Sequence, residues 1–264
     1  MRRPELMGVV NVTPDSFSDG GLFLDPGRAI AHGRDLAAAG AEILDVGGES
    51  TRPGADPVGA KEERERVAPV IEGLRGAGAR ISVDTSKSEV AAAALAAGAE
   101  IVNDISALRA APEIAALCAD RGATLILMHM QGTPRTMQDD PRYDDVVGDV
   151  RDFLEERLHF AVAEGVPEEH VWLDPGIGFG KSLDHNLELL RRLGELRELG
   201  RPLVVGTSRK SFIAKIDGSD VAERLGGSIA SGVLAWRNGA DVLRVHDVAE
   251  MSEALRVAAA IATP

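Results

Sequence analysis

The chain has 264 residues, 44% of them hydrophobic, and a formal net charge of -13 at pH 7. This length suits one large domain or two small ones, and the acidic balance argues against a broad surface for nucleic acid. We recognise no signal peptide and no membrane-spanning run, and the single cysteine excludes a disulfide framework. We therefore expect a protein of the reducing cytoplasm that binds neither nucleic acid nor membrane.

Short apolar runs alternate with segments of helical period along the whole chain. The apolar runs occupy residues 6–10, 43–46, 81–83, 101–103, 125–128, 171–173, 203–205 and 242–245. The helical segments include residues 26–39, 61–75, 88–97, 144–164, 184–199, 221–236 and 248–261. The runs are apolar throughout, as strands buried on both faces should be.

Strict alternation of strands and helices predicts an α/β fold with a parallel sheet. Eight such units in a chain of this length predict a (β/α)8 TIM barrel. A doubly wound open sheet is the alternative. No linker, charge block or low-complexity tract marks a second domain, so we expect a single domain over residues 1–264.

A local phrase recurs as "AAAGAEILDV", "LAAGAEIVND" and "RNGADVLRV". Each has an apolar helix end, a glycine, an alanine, an acid and then aliphatic residues. The pattern predicts a helix that ends at a glycine in left-handed conformation, followed by a short loop into a buried strand.

Polar residues follow the predicted strands, where the active site of such a barrel is built. Asp84, Asn103 and Asp174 offer hydrogen-bond acceptors at the ends of strands three, four and six. Converging acceptors suit a ring edge rich in N–H donors. Two alternatives stay open: the acids hold a divalent metal, or each Asp merely caps the next helix.

Cations follow strands two, seven and eight, and they are Arg52, Arg209, Lys210, Arg244 and His246. The loops after strands seven and eight commonly hold phosphate in barrels, and alternate residues of a strand face the same way. Asn11 could add an oxygen ligand for Mg²⁺. The residues thus predict a pocket for a small polar ring that carries a phosphate or pyrophosphate.

The stretch "LDPGIGFGKS" looks like a nucleotide-binding loop but has the wrong register. Pro175 stands where the P-loop requires its first glycine, and Lys181 stands where a dinucleotide fingerprint requires its last. What remains is an acid, Asp174, and a glycine-rich backbone that can approach a ligand closely. Lys181 itself is expected to be solvated or structural.

Seven motifs in order, "GVVNVTPDSFSDGG", "LDVGGESTRPGA", "SVDTSK", "LMHMQG", "LDPGIGFGK", "GTSRKSF" and "RVHDV", resemble those of bacterial dihydropteroate synthases over nearly the whole chain. The resemblance implies a reaction in folate synthesis. In it, 6-hydroxymethyl-7,8-dihydropterin pyrophosphate and 4-aminobenzoate give 7,8-dihydropteroate and pyrophosphate. It also implies a (β/α)8 barrel, Mg²⁺, a homodimer and sensitivity to sulfonamides.

The resemblance also implies residue roles. The pterin positions are Asp84, Asn103, Asp174 and Lys210, with Phe179 and Arg244 stacking on the ring. The pyrophosphate positions are Asn11 (through Mg²⁺), Thr51, Arg244 and His246. The aminobenzoate positions are Phe17, Arg52, Pro53 and Ser211. We assign catalysis to Asp84, Lys210, Arg244 and His246.

Two other functions share parts of this pattern. One is a pterin-binding methyltransferase barrel, which shares the acceptors but needs neither the Arg244/His246 anion site nor Asn11. The other is a non-catalytic pterin-binding protein, which would bind without releasing pyrophosphate. For a dimer surface, the apolar segment "SIASGVLAW" is the candidate.

Overall fold

A computed structural model describes residues 2–13, 25–50 and 56–262. Parallel strands form a single eight-stranded sheet in this part of the chain. The strands are β1 (Glu5–Asn11), β2 (Ile43–Gly47), β3 (Arg80–Asp84), β4 (Ile101–Asp104), β5 (Thr124–Met128), β6 (Val171–Asp174), β7 (Val204–Val205) and β8 (Val242–Val245). The predicted strands are confirmed to within a residue or two at each end.

The sheet curls into a barrel. Its hydrogen-bonded order is β6-β5-β4-β3-β2-β1-β8-β7. The two outer strands meet through a parallel bridge between Leu173 and Leu203, supported by the Leu173 amide, which donates to the Pro202 carbonyl at 2.9 Å. The predicted TIM barrel is confirmed, and the open sheet is excluded.

Helices surround the described barrel. They are α1 (Pro26–Ala38), α2 (Ala60–Leu74), α3 (Ser88–Ala97), α4 (Ile114–Arg121), α5 (Val146–Ala163), α6 (Leu183–Arg191), α7 (Ser211–Asp217), α8 (Leu225–Arg237) and α9 (Val248–Ala262). Gly40, Gly98 and Gly239 of the recurrent phrase have φ of 107°, 115° and 118°. The left-handed helix ends that this phrase predicts are therefore confirmed.

Two long helical predictions are wrong in detail. Residues 184–199 divide into α6 and a 3₁₀ helix at Leu193–Leu199, and residues 221–236 into a 3₁₀ turn at Val221–Glu223 and α8. Gly194 lies just after the first break, and glycine is a poor helix former. The helix α7 adds an element that the periodicity does not single out.

Alternate residues of the strands fill the barrel interior in two layers. The layer nearer the amino ends is apolar and consists of Met7, Ile43, Ile101, Ile126, Val204 and Val242, with Trp172 packed against it. Two residues further along the same strands come Asp45, Asn103, Asp174 and Arg244. Because side chains alternate with a period of two, these polar residues point into the carboxyl end of the barrel.

Within the described residues, no helix combines the length and the apolar character needed to cross a membrane.

Candidate active site

Strand register brings the predicted acceptors side by side. Asn11 pairs with Gly47, Gly47 with Asp84, and Asp84 with Asn103 across four neighbouring strands. Since the strands are parallel and carry these residues at their ends, Asn11, Asp84 and Asn103 lie in one row around the rim. Gly47 stands between Asn11 and Asp84 in this row, and a Cβ added there would make only ordinary contact, 3.9 Å from both Asn11 Oδ1 and Asp84 Oδ2.

Arg244 on β8 reaches across the barrel to two carboxylates. Its Nε donates to Asp45 Oδ2 at 2.6 Å, and its Nη2 donates to Asp84 Oδ2 at 3.0 Å. Asn103 Nδ2 donates to the same Asp45 oxygen at 3.2 Å. Asp45 is fully buried, and it therefore fixes the orientation of both Arg244 and Asn103.

Buried charges set the protonation of this cluster. Burial raises the pKa of the Asp84 carboxyl to about 7, Arg244 opposes that shift, and Asp45, Glu63 and Asp104 add to it. Burial disfavours the charge of Arg244, but Asp45 and Asp84 hold its pKa above the ordinary value. Asp84 is thus an acid that changes charge near neutral pH beside a permanent cation.

Asp174 ends β6 and lies beside a second cation. Its Oδ1 accepts from the Gly176 amide at 2.7 Å. Burial raises the pKa of Asp174, while the Gly176 amide and the charges of Lys210, Lys181 and Arg244 lower it. Burial lowers the pKa of Lys210 to about 8, and Asp174 opposes this shift.

Lys210 and Phe179 lie in contact with each other near Asp174. The Lys210 ammonium donates to the Ile177 carbonyl and lies 4.1 Å from the centroid of the Phe179 ring, a cation–π distance. The structure therefore brings Asp174, Phe179 and Lys210 together, near enough to Arg244 for its charge to lower the pKa of Asp174.

The loop after β6 is held by side chains that contact the backbone of Gly178 and Gly180. Gln138 Nε2 donates to the Gly178 carbonyl at 2.8 Å, and Tyr143 Oη donates to the Gly180 carbonyl at 2.6 Å. Asn186 Oδ1 accepts from the Gly178 amide at 2.6 Å. At Gly176, where φ is 66°, a Cβ would collide with the His129 carbonyl. Only glycine fits there, which explains the glycine-rich sequence without a phosphate.

Lys181 is buried beneath this loop, with 1% of its surface exposed. Its Nζ lies 2.8 Å from His129 Nδ1, 3.0 Å from the Gly176 carbonyl and 2.9 Å from the Phe179 carbonyl. Of the two expected states, the solvated one is wrong and the structural one is confirmed.

The remaining cations lie at the rim after β7 and β8. His246 is half-buried, and its Nδ1 lies 3.0 Å from Ser208 Oγ. Arg209 pairs with Asp247, with 3.0 Å between Nε and Oδ2. Ser211 is exposed and begins α7 directly after Lys210. Phe17, Thr51, Arg52 and Pro53 lie outside the described residues.

The alternatives for the acids are resolved by their contacts. Asp84 does not cap α3, whose N-cap is Lys87, and Asp174 does not cap α6, whose N-cap is Ser182. Among the described residues, no group of three or more His, Cys, Asp and Glu side chains could hold a metal ion. A metal held by the acids alone is therefore not supported.

The sequence interpretation missed Asp45 as a site residue. The signal was present, because Asp45 stands two residues before Gly47 on β2 and is the only acid inside that strand. Its partner Arg244 could not be predicted, because β2 and β8 are not adjacent in the sheet.

A barrel with an acid–cation cluster at the carboxyl ends of its strands defines an enzyme that handles a polar, anionic substrate. The chain matches the family described as "Pterin binding enzyme" over residues 7–246.

Curated relatives include the dihydropteroate synthase of Synechocystis, 48% identical over 98% of this chain and 91% of that protein. The Escherichia coli enzyme is 47% identical over 97% and 91%. A Xanthomonas albilineans dihydropteroate synthase solved with 4-aminobenzoic acid superposes with a TM-score of 0.93 at 49% identity, covering 99% of this chain and 94% of that one. The chain therefore belongs to the pterin-binding enzyme family, within its dihydropteroate synthases.

Proposed function

We propose that this chain condenses 6-hydroxymethyl-7,8-dihydropterin pyrophosphate with 4-aminobenzoate, forming 7,8-dihydropteroate and releasing pyrophosphate. One observation carries the proposal: Arg244 joins the carboxylates of Asp45 and Asp84 at the mouth of a barrel of this family. A Xanthomonas albilineans relative, 46% identical with a TM-score of 0.90 over 99% of this chain and 95% of that one, was solved in complex with 7,8-dihydropteroate. A Yersinia pestis relative, 44% identical with a TM-score of 0.94 over 99% and 95%, was solved with a sulfonamide drug complex.

The pterin ring fits the acceptor side of the site. Asp174 and Asn103 have side-chain oxygens that can accept from the N–H edge of the ring, and Asp84 lies beside Asn103 in the sheet. Phe179 covers one face of the ring, and Arg244 stacks on the other. Lys210 donates to the ring from the Asp174 side.

The pyrophosphate fits the cationic rim. Arg244 and His246 face the same side of β8's end, and they donate to the oxygens that gain charge as the bond to carbon breaks. Thr51 adds a hydroxyl. The carbon–oxygen bond breaks and its electron pair leaves with the pyrophosphate.

Departure leaves a cation on the exocyclic carbon that the pterin delocalises. Ionised Asp84 stabilises this charge at short range. The arylamine nitrogen then attacks the carbon and releases one proton to solvent. Phe17, Arg52, Pro53 and Ser211 position the amine, so a sulfonamide that mimics the amine competes for the same place.

Mg²⁺ fits this site as a partner of the pyrophosphate. Magnesium keeps several waters and commonly takes one or two protein oxygens plus substrate phosphates. Asn11 supplies one such oxygen at the rim, close to Asp84. When bound, the ion neutralises charge on the leaving group. The Asn11→Ala variant should require more Mg²⁺ for half-maximal rate, whereas an unchanged requirement would remove Asn11 from this role.

A homodimer is the proposed assembly, and its surface includes α8 and α9. These helices border a groove of about 650 Å³ lined mostly by apolar side chains. Leu234, Val257 and Ile261 are 59%, 55% and 80% exposed there, and neighbouring exposed apolar residues can mark an interaction surface. Sedimentation of the wild type and of Leu234→Glu tests this, and a monomeric wild type would overturn it.

We propose the cytoplasm as the compartment on the basis of composition. The single cysteine, Cys118, is buried in the core, and such a chain suits the reducing cytoplasm.

The deciding experiment measures pyrophosphate release from dihydropterin pyrophosphate and Mg²⁺, with and without 4-aminobenzoate. Release with formation of dihydropteroate is expected. Slow release without the amine would favour departure before attack. Tight binding with no release in either condition would overturn the synthase in favour of a binding protein. Activity that requires a corrinoid partner and a methyl-folate would indicate the methyltransferase.

A further inference from the structure

The lysine beneath the loop after β6 has no part in the chemistry described above. Lys181 extends from the carboxyl end of that loop and folds back under it. Its Nζ reaches the carbonyls of Gly176 and Phe179 in the same loop and His129 Nδ1 at the end of β5. We propose that Lys181 is a positioning residue, which holds the loop so that Asp174 and Phe179 stand ready for the pterin ring.

The contacts of Lys181 form a series that ends at the Asp174 carboxylate. Asp174 Oδ1 accepts from the Gly176 amide at 2.7 Å, and the Gly176 carbonyl accepts from Lys181 Nζ at 3.0 Å. The Asp174 carbonyl accepts from the His129 amide at 2.9 Å. Gly176, whose amide orients the carboxylate, is thus held through its carbonyl by Lys181, and the backbone of Asp174 itself is held by the His129 amide after β5.

A second series of contacts ends at the Phe179 ring. The Phe179 carbonyl accepts from Lys181 Nζ at 2.9 Å, while the ring lies 4.1 Å from Lys210 Nζ. The Lys181 Nζ therefore contacts both Gly176, which orients the acceptor for the ring edge, and Phe179, which covers the ring face. Because the proposed function assigns Asp174 and Phe179 to the pterin ring, the effect should be confined to that substrate.

The imidazole of His129 is suited to accept from a lysine. His129 is 6% exposed, and burial, with the nearby charges of Lys181 and Arg109, lowers its pKa to about 2. The ring is therefore neutral at physiological pH, and its Nδ1 can accept while Nε2 carries the hydrogen. Burial lowers the pKa of Lys181 well below the ordinary value for lysine, and the charge of Asp174 opposes the shift. Its Nζ lies within hydrogen-bond distance of His129 Nδ1 and of the Gly176 and Phe179 carbonyls, so its N–H groups can donate to these acceptors.

The first test replaces Lys181 with methionine, which fills a similar volume without donors. The inference rests on the proposed function, so the dissociation constant of dihydropterin pyrophosphate is measured directly by titration calorimetry with Mg²⁺. We expect it to rise about tenfold or more, because misplaced binding groups lose affinity steeply. The KM for 4-aminobenzoate at saturating pterin substrate should stay within about twofold.

Lys61→Met is the matched control, since Lys61 is 81% exposed on α2 and should bind like the wild type. An unchanged pterin dissociation constant in Lys181→Met would overturn the inference. Equal rises in the pterin dissociation constant and in the KM for 4-aminobenzoate, together with a lower melting temperature, would also overturn the inference. They would indicate that Lys181 only stabilises the fold. If the wild type itself binds no pterin substrate, the proposed function fails instead.

A second pair of variants decides the matter if Lys181→Met does not fold. His129→Asn keeps an acceptor close to the place of Nδ1, whereas His129→Leu removes it. We expect His129→Asn to bind the pterin substrate within about threefold of the wild type and His129→Leu to lose about tenfold. Equal affinities in these two variants would overturn the role of the Lys181–His129 contact.

Discussion

The barrel interior has an apolar end and a polar end, built from the same strands. On β2, Ile43 belongs to the apolar layer and Asp45 to the polar one; on β8, Val242 and Arg244 do the same. The apolar layer contributes folding energy through burial without polar penalties. The polar layer contains a fully buried Asp45 whose Oδ1 has no hydrogen-bond partner among the described residues and an Asp84 with a raised pKa. Such groups reduce stability, so their presence at one end indicates function.

The largest effect should come from removing the cation of the polar end. Arg244→Met removes the donors to the leaving group and the cation that joins the carboxylates of Asp45 and Asp84. We expect kcat/KM to fall by about 10³-fold, the upper range for losing a preorganised donor. The pyrophosphate-release assay measures it.

The exposed Arg64→Met serves as the control for that variant, and its rate should match the wild type. A loss below about tenfold in Arg244→Met would mean that pyrophosphate is held elsewhere. The variant's stability should fall as pH rises, because the folded state then binds more protons than the unfolded one.

The apolar end should respond in stability rather than in rate. Ile126→Ala opens a cavity in the layer of Met7, Ile101 and Val242, and we expect the free energy of unfolding to drop by about 3 kcal/mol. The KM values should remain within about twofold. Denaturant titration gives the free energy, and Ile216→Ala, at a site 60% exposed, is the surface control. A tenfold loss of rate with unchanged stability would break the division between the two ends.

Asp84 separates turnover from binding at the polar end. In Asp84→Asn the neutral amide keeps the shape but not the negative charge that stabilises the developing cation. We expect kcat to fall about 10²-fold, with the dissociation constant of the pterin pyrophosphate within about threefold. Rapid-quench and binding measurements test this. Equal losses in turnover and affinity, with bond cleavage unaffected, would count against the proposed role.

Much of the division of the barrel interior into an apolar and a polar end could be predicted from the sequence. Continuous apolar runs with polar residues at their ends predict both the parallel barrel and the polar end, because parallel strands all end on one face. Asp84, Asn103, Asp174, Lys210 and Arg244 are predicted from position alone.

The partners of these residues could not be predicted in the same way. The Arg244–Asp45 contact joins residues 199 positions apart in the sequence, on strands that are not neighbours in the sheet. The burial of Lys181 depends on the three-dimensional path of a loop with three left-handed glycines. Local sequence alone predicts that a lysine after a glycine-rich loop binds phosphate or faces solvent. Only the carbonyls that surround Lys181 in the folded chain indicate a structural role.

The pH dependence gives the smallest effect and the sharpest test of the polar end. Burial raises the pKa of Asp84 to about 7 and lowers that of Lys210 to about 8. Asp84 acts ionised, so kcat/KM should decline as pH falls through about 7. Lys210 acts protonated, so it should decline as pH rises through about 8. The result is a narrow bell with losses of about tenfold per pH unit outside it.

Each side of the bell should belong to one residue. In Asp84→Asn the acidic decline should disappear from the residual activity, while the alkaline decline remains. Lys210→Arg keeps a charge at every accessible pH, so it should lose the alkaline decline alone. An acidic decline that persists in Asp84→Asn would assign this decline to another group. The charge of Asp84 would then reduce stability without contributing to catalysis.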